Sequence, residues 1–258
     1  MSNLFDLTGK VAIITGASSG LGADAARAYA EQGADVALLA RRKDKLEELA
    51  KEIEATGRRA IAVQCDVADE ESVKLAVKEV INNFGRVDIL LNNAGVATVG
   101  SVETMTVETW DKVMDINVKG IFLMCKYVIP HMTERNYGKI VNIASINAVV
   151  ANKGLALVRH SYNASKAAVR GLTMGMAATY MENGITVNSI GPGLFESEMT
   201  AGTLFKHDAF MNAYNTMSPA GRPGKKGELN GTILYLSSDA SSYVTSQHIL
   251  VDGGMAIV

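Results

Sequence analysis

The sequence predicts an α/β fold built on one doubly wound parallel sheet, and three observations predict it. Short runs of β-branched and aliphatic residues alternate with longer stretches of helical period along all 258 residues. Those runs are apolar almost without a break, as strands covered on both faces must be. Only four prolines occur and no linker or low-complexity stretch interrupts the alternation. A single domain over 1–258 is therefore expected, although length alone would also allow two.

Strands are expected at 10–15, 34–40, 59–65, 87–92, 139–144, 185–190 and 247–251, about seven in all. Helices are expected between them at 21–32, 43–56, 69–84, 107–134, 162–181 and 225–238. In the second helix Lys45, Glu48, Lys51 and Glu52 surround Leu46, Leu49 and Ile53, the pattern of an amphipathic surface helix. Gly33, Gly57 and Gly85 follow helical runs where a glycine stop is expected. Stretches 107–134 and 162–181 differ, being apolar on more than one face; charge in 162–181 is confined to Lys166 and Arg170. One side of each can pack on the sheet, and the other is expected to meet a second subunit, in a dimer or tetramer.

Composition excludes several functions. Hydrophobic residues make up 48% of the chain, which excludes a disordered polar protein. Lys plus Arg number 25 against 27 acidic residues, so no polybasic surface for nucleic acid or membrane is expected. No apolar run reaches the roughly 18 residues of a membrane span. Cys65 and Cys125 cannot build a disulfide framework and suit a reducing compartment. The opening MSNLFDLTGK lacks a signal-peptide pattern, so a cytoplasmic protein is expected. His131, His160, His207 and His248 are scattered without metal-ligand spacing, and no metal is expected.

The first strand runs directly into Thr15-Gly16-Ala17-Ser18-Ser19-Gly20-Leu21-Gly22 and then a helix. Gly16 permits a tight turn, Gly20 lets backbone approach a pyrophosphate, and Gly22 lets helix and strand pack closely. The helix beginning near Leu21 would aim free N–H groups at phosphates. An acidic residue at the end of the second strand would accept the ribose 2′-hydroxyl of NAD. Here that strand ends in Arg41-Arg42, with no carboxylate until Asp44, which favours NADP(H) over NAD(H).

With these residues the sequence resembles the classical short-chain dehydrogenase/reductase family over nearly its whole length. Thr15–Gly22 matches the glycine turn, and Asn92-Asn93-Ala94-Gly95 the signature after the fourth strand. Asn117, Ser145, Tyr162 and Lys166 match the catalytic tetrad in order, Pro192-Gly193 the turn after the sixth strand, and Val251-Asp252-Gly253-Gly254 the closing segment. The resemblance implies a Rossmann-type sheet and hydride transfer between a nicotinamide and a secondary alcohol or ketone. It implies that Lys166 also holds the nicotinamide ribose and that Asn117 anchors a water in a proton relay to Lys166. Asp66 and Val67 would then sit at the adenine, and Asn93, Ala94 and Gly95 in the cofactor cleft. Leu194 and Ser197 would approach the carboxamide, with Ser197 standing where the family usually has threonine.

The proton chemistry also follows from the residues. Tyr162 and Lys166 are four apart in a helix and share a face. A free phenol titrates near 10, too high for a proton shuttle at neutral pH. The neighbouring ammonium is expected to lower that value, and Ser145 to aim a second hydroxyl at the same carbonyl oxygen. His160 is expected to be an ordinary loop histidine, although it precedes Tyr162 by two residues.

Substrate choice should lie in 147–161 and in a lid at about 195–219, whose apolar residues Leu204, Phe205, Phe210, Met211, Tyr214 and Met217 suit helices closing over the site. The branch most similar in appearance is the gluconate 5-dehydrogenase-like one, which implies a sugar acid. A 3-oxoacyl-carrier-protein reductase and a hydroxysteroid dehydrogenase are the alternatives. From another class, a non-catalytic NADP-binding regulator would need the glycine turn but not the tetrad.

Overall fold

The computed structural model describes residues 3–151, 158–196 and 204–258. Seven strands, β1 (Val11–Thr15), β2 (Asp35–Ala40), β3 (Ala60–Gln64), β4 (Ile89–Asn92), β5 (Gly138–Ile143), β6 (Ile185–Pro192) and β7 (His248–Val251), form one sheet. Its order is β3-β2-β1-β4-β5-β6-β7 and every pairing is parallel. The helices are α1 (Gly20–Glu31), α2 (Lys43–Glu54), α3 (Glu70–Phe84), α4 (Val107–Met114), α5 (Gly120–Glu134), α6 (His160–Tyr180), α7 (Asp208–Met217) and α8 (Asn230–Ser237).

Strand alternation sends consecutive side chains to opposite faces, so the chain builds two cores. Ile13, Leu39, Leu90, Ile140 and Val187 meet α3, α5 and α6 on one face. Ala12, Ile14, Val36, Leu38, Ile89, Leu91 and Val141 meet α1, α2 and α8 on the other. Burial on both faces explains the uninterrupted apolar runs of β1 and β4, every residue of which is buried.

Two helices depart from the sequence reading. The stretch 107–134 is not one α-helix, because a π turn at Asp115–Lys119 separates α4 from α5. The stretch 225–238 is helical only in α8, because Gly227 takes a left-handed φ of +85°. There Glu228 accepts from Arg222 (2.8 Å) and from Lys225 N (2.7 Å), which closes a turn instead. The exposed sides of α5 and α6 carry Phe122 and Met174, 50% and 63% exposed. Among the described residues no helix is long and apolar enough to cross a membrane.

Candidate active site

The glycine turn is shaped by what it is pressed against. Gly16 and Gly20 take φ of +66° and +54°, where a side chain would be strained. A Cβ on Gly16 would lie 2.9 Å from Ala94 Cα, and one on Gly22 would lie 2.5 Å from both Gly16 O and Asn93 Nδ2. Asn93 braces the turn, donating from Nδ2 to Thr15 O (2.9 Å) and Gly16 O (3.3 Å). Thr15 Oγ1 accepts in return from Asn93 N (2.9 Å) and Ala94 N (3.0 Å). Thr15 opens the glycine turn in the sequence without a role of its own, and its one signal is a hydroxyl closing an otherwise aliphatic strand.

No side chain caps the first turn of α1, so its N–H groups are placed to meet an anion. Arg42 reaches the same turn, with Nη2 2.9 Å from Ser18 Oγ and 3.2 Å from Ser19 Oγ.

A cleft of about 510 Å³ runs along the carboxyl ends of the strands. It crosses the gap between β1 and β4, where the strand order reverses and α/β sheets bind ligands. Gly16, Ser18, Ser19, Gly20, Leu21, Arg41, Arg42, Asp66 and Val67 line one end. Asn93, Ala94, Gly95, Ser145, Tyr162, Lys166, Pro192 and Gly193 line the rest. Among the remaining expected residues, Gly22 packs beneath the turn, and Leu194 directs its N–H to Tyr214 Oη (3.4 Å) while Phe195 lines the cleft. Ser197 lies outside the described residues. The volume lies within the roughly 300–1,000 Å³ of small-molecule sites. Together with the side-chain-free cradle at Gly16 and Gly22, it fits a dinucleotide.

Asn117 sits in the π turn, fully buried behind Gly95. Its Oδ1 accepts from Val96 N (2.8 Å), and its Nδ2 donates to Val96 O (2.9 Å) and Ser165 Oγ (3.0 Å). Ser165 Oγ in turn donates to Tyr162 O at 2.9 Å. Both amide hydrogens are thus committed to holding the cleft wall against α6. The extra residue of a π turn commonly marks a functional site.

Ser145 ends the β5 connection and is 6% exposed; Lys166 is 4% exposed, and Tyr162 between them is half-buried. Lys166 Nζ donates to Ile143 O at 2.8 Å and stands 5.6 Å from the centre of the Tyr162 ring. The expectation that Lys166 lowers the tyrosine is overturned. Burial raises the Tyr162 phenol above its usual value, opposed by the Ser145 hydroxyl and then by the Arg159 charge. Burial acts on the lysine too, pulling its ammonium down to about 8. Desolvation penalises the charged form of each group, and it is the largest influence on both.

His160 begins α6 and accepts from Val102 N on Nδ1 (3.0 Å). It lines a separate small pocket with Trp110 and Met105, outside the cleft, although it stands at the start of a helix and not in the expected loop. In the expected lid, α7 forms, and Phe210 and Tyr214 stack at 6.3 Å. Met199 and Thr200 of that stretch lie outside the described residues. Among the described residues no cluster of metal-ligating side chains occurs.

The glycine cradle at the sheet reversal shares one cleft with Ser145, Tyr162 and Lys166, so a nucleotide site and proton-transfer groups stand side by side. A family model described as enoyl-(acyl carrier protein) reductase matches residues 16–256. The gluconate 5-dehydrogenase of Gluconobacter oxydans is 38% identical over 255 residues, 99% of this chain and 98% of that protein. A 3-oxoacyl-[acyl-carrier-protein] reductase of Staphylococcus aureus is 38% identical over 247 residues, 95% of this chain and 98% of that protein. The crystal structure of a gluconate 5-dehydrogenase from Burkholderia cenocepacia, in complex with NADP and tartrate, superposes with a TM-score of 0.93. It is 36% identical, with 99% of this chain and 98% of that one covered. The chain belongs to the short-chain dehydrogenase/reductase family. It is an oxidoreductase acting on CH–OH groups with a nicotinamide cofactor.

Proposed function

We propose that the chain is an NADP(H)-preferring dehydrogenase/reductase of a sugar acid, of the gluconate 5-dehydrogenase type. The observation that carries the cofactor preference is Arg42, held over Ser18 and Ser19 at the mouth of the glycine turn. With Arg41 beside it and, among the described residues, no carboxylate lining that end except Asp66, the site suits a 2′-phosphate. The nicotinamide supplies or accepts the hydride. Tyr162 and Ser145 hold the substrate oxygen, Tyr162 exchanging its proton and Ser145 stabilising developing charge. Lys166 anchors the ribose beside them, and Asn117 fixes the wall through which a water-borne proton path would run. Ser197 is assigned to the carboxamide on the resemblance.

The sugar-acid reading draws on the Gluconobacter relative and on the Burkholderia structure that holds tartrate, itself a hydroxy acid. A second reading, reduction of 3-oxoacyl thioesters, is favoured by a relative of the same 38% identity. A panel of 5-keto-gluconate-type acids, 3-oxoacyl thioesters and hydroxysteroids, each with NADPH and NADH, decides between them. Sugar-acid turnover should exceed the others in kcat/KM, and thioester turnover above it would overturn the proposal. We further place the protein in the cytoplasm, since Cys65 and Cys125 are free and buried. A second copy is proposed to cover the exposed side of α6, where Gly171 and Gly175 face open space beside Met174.

A further inference from the structure

One side chain ties the turn after Ser145 to the helix that carries Tyr162. Asn163 follows Tyr162 in α6, and its Nδ2 donates to Asn147 O (2.8 Å) and Val150 O (3.0 Å). Both amide hydrogens thus leave the helix and capture the main chain of the 3₁₀ turn Ile146–Ala148 and its exit. Within that turn Asn147 N donates to Ser145 Oγ at 3.1 Å.

A serine hydroxyl has one hydrogen and two lone pairs. Accepting from Asn147 N fixes a lone pair and leaves the hydrogen to be given elsewhere. The alternative acceptor, Asn147 Oδ1, stands at 3.4 Å, well beyond the preferred O–H···O distance of about 2.7–2.8 Å. The hydrogen is therefore available to the cleft, which Ser145 and Tyr162 line together. The bonds link Asn163, through the main chain of Asn147, to the hydroxyl of Ser145, which shares the cleft with the residue beside Asn163.

We propose that Asn163 is a positioning residue that, by gripping the main chain of Asn147, fixes the direction in which Ser145 donates toward Tyr162 and the substrate oxygen between them. The proposal rests on the reading of Ser145 and Tyr162 as the pair that holds that oxygen. It adds to that pair a residue that touches neither substrate nor cofactor. Because Ser145 favours the phenolate, turning its hydrogen away raises the Tyr162 pKa further and moves the pH profile.

The test compares the native enzyme with Asn163→Ala, Asn163→Ser and Tyr162→Phe. It reads kcat, KM for the nicotinamide cofactor, the melting temperature and the midpoint of the tyrosine limb of the pH profile. Asn163→Ala should lower kcat by about 10–100-fold, the scale of an ångström-level misplacement. Its cofactor KM should stay within about twofold, since the glycine cradle is remote. The midpoint should move to higher pH. Asn163→Ser, able to reach one carbonyl, should shift it less and in the same direction. An unchanged midpoint in folded Asn163→Ala, or in Asn163→Ser if the alanine variant does not fold, overturns the proposal, even if melting temperature falls. Tyr162→Phe separates the two levels: turnover retained there would defeat the underlying reading itself, whatever Asn163 does.

Discussion

Replacing Lys166 with methionine should stabilise the protein at neutral pH while destroying its activity. Lys166 is 4% exposed, and desolvation alone lowers its pKa from 10.5 to about 8. At about 1.4 kcal/mol per unit, keeping the ammonium charged inside costs on the order of 3 kcal/mol. Its charge-assisted bond to Ile143 O at 2.8 Å returns roughly 1.5–3 kcal/mol. Methionine has similar length and no charge, so a net gain of up to about 1.5 kcal/mol is expected at pH 7. The pH dependence is more diagnostic than the gain. Between pH 8 and 10.5 the unfolded lysine binds a proton that the native one has lost, so native stability rises with pH across that window. Below pH 8 the penalty is fully present and constant. The difference between variant and native enzyme should therefore shrink by about 3 kcal/mol from pH 7 to pH 10.5. Urea unfolding of both proteins at several pH values measures it. A variant less stable at pH 7, or a difference independent of pH, would refute the reasoning.

Three further outcomes are expected. Tyr162→Phe should abolish turnover yet leave NADPH binding by fluorescence titration near the native value, because the cradle is untouched. Arg41→Asp should move the kcat/KM ratio from NADPH toward NADH by roughly 10–100-fold, the worth of one charge-assisted phosphate contact; a ratio that stays put would remove Arg41 from cofactor selection. Gly22→Ala places a methyl 2.5 Å from Gly16 O and Asn93 Nδ2. It should cost about 1–3 kcal/mol by thermal unfolding and weaken cofactor binding at the same time.

The strands were legible because each is an apolar run with a fixed meaning: β1 and β4 can only be buried on both faces. The cleft was legible for a related reason, since Gly16, Ser145, Tyr162 and Lys166 each stand at an element boundary or on one helix face. The π turn was not legible, because Asp115–Lys119 continues a helical pattern without a proline or glycine to mark a break. Thr15 and Asn163 escaped for another reason. What each bonds, Asn93 and Asn147, lies far away in the chain, and nothing in a lone polar residue names its partner. Spacing in a helix gives the proximity of Tyr162 to Lys166 but says nothing of the water removed from both, which sets the direction of the Tyr162 shift.

The π turn also makes helix length a functional quantity. Each residue of an α-helix advances the chain by about 100°. Deleting any one residue of α4 would therefore swing Asn117 about a quarter-turn away from Val96 and Ser165, with Ser145, Tyr162 and Lys166 still present in the sequence. A relative that carries the whole tetrad but is one residue short between Thr106 and Asn117 would thus be a candidate for a fold that has kept the letters and lost the wall of its active site.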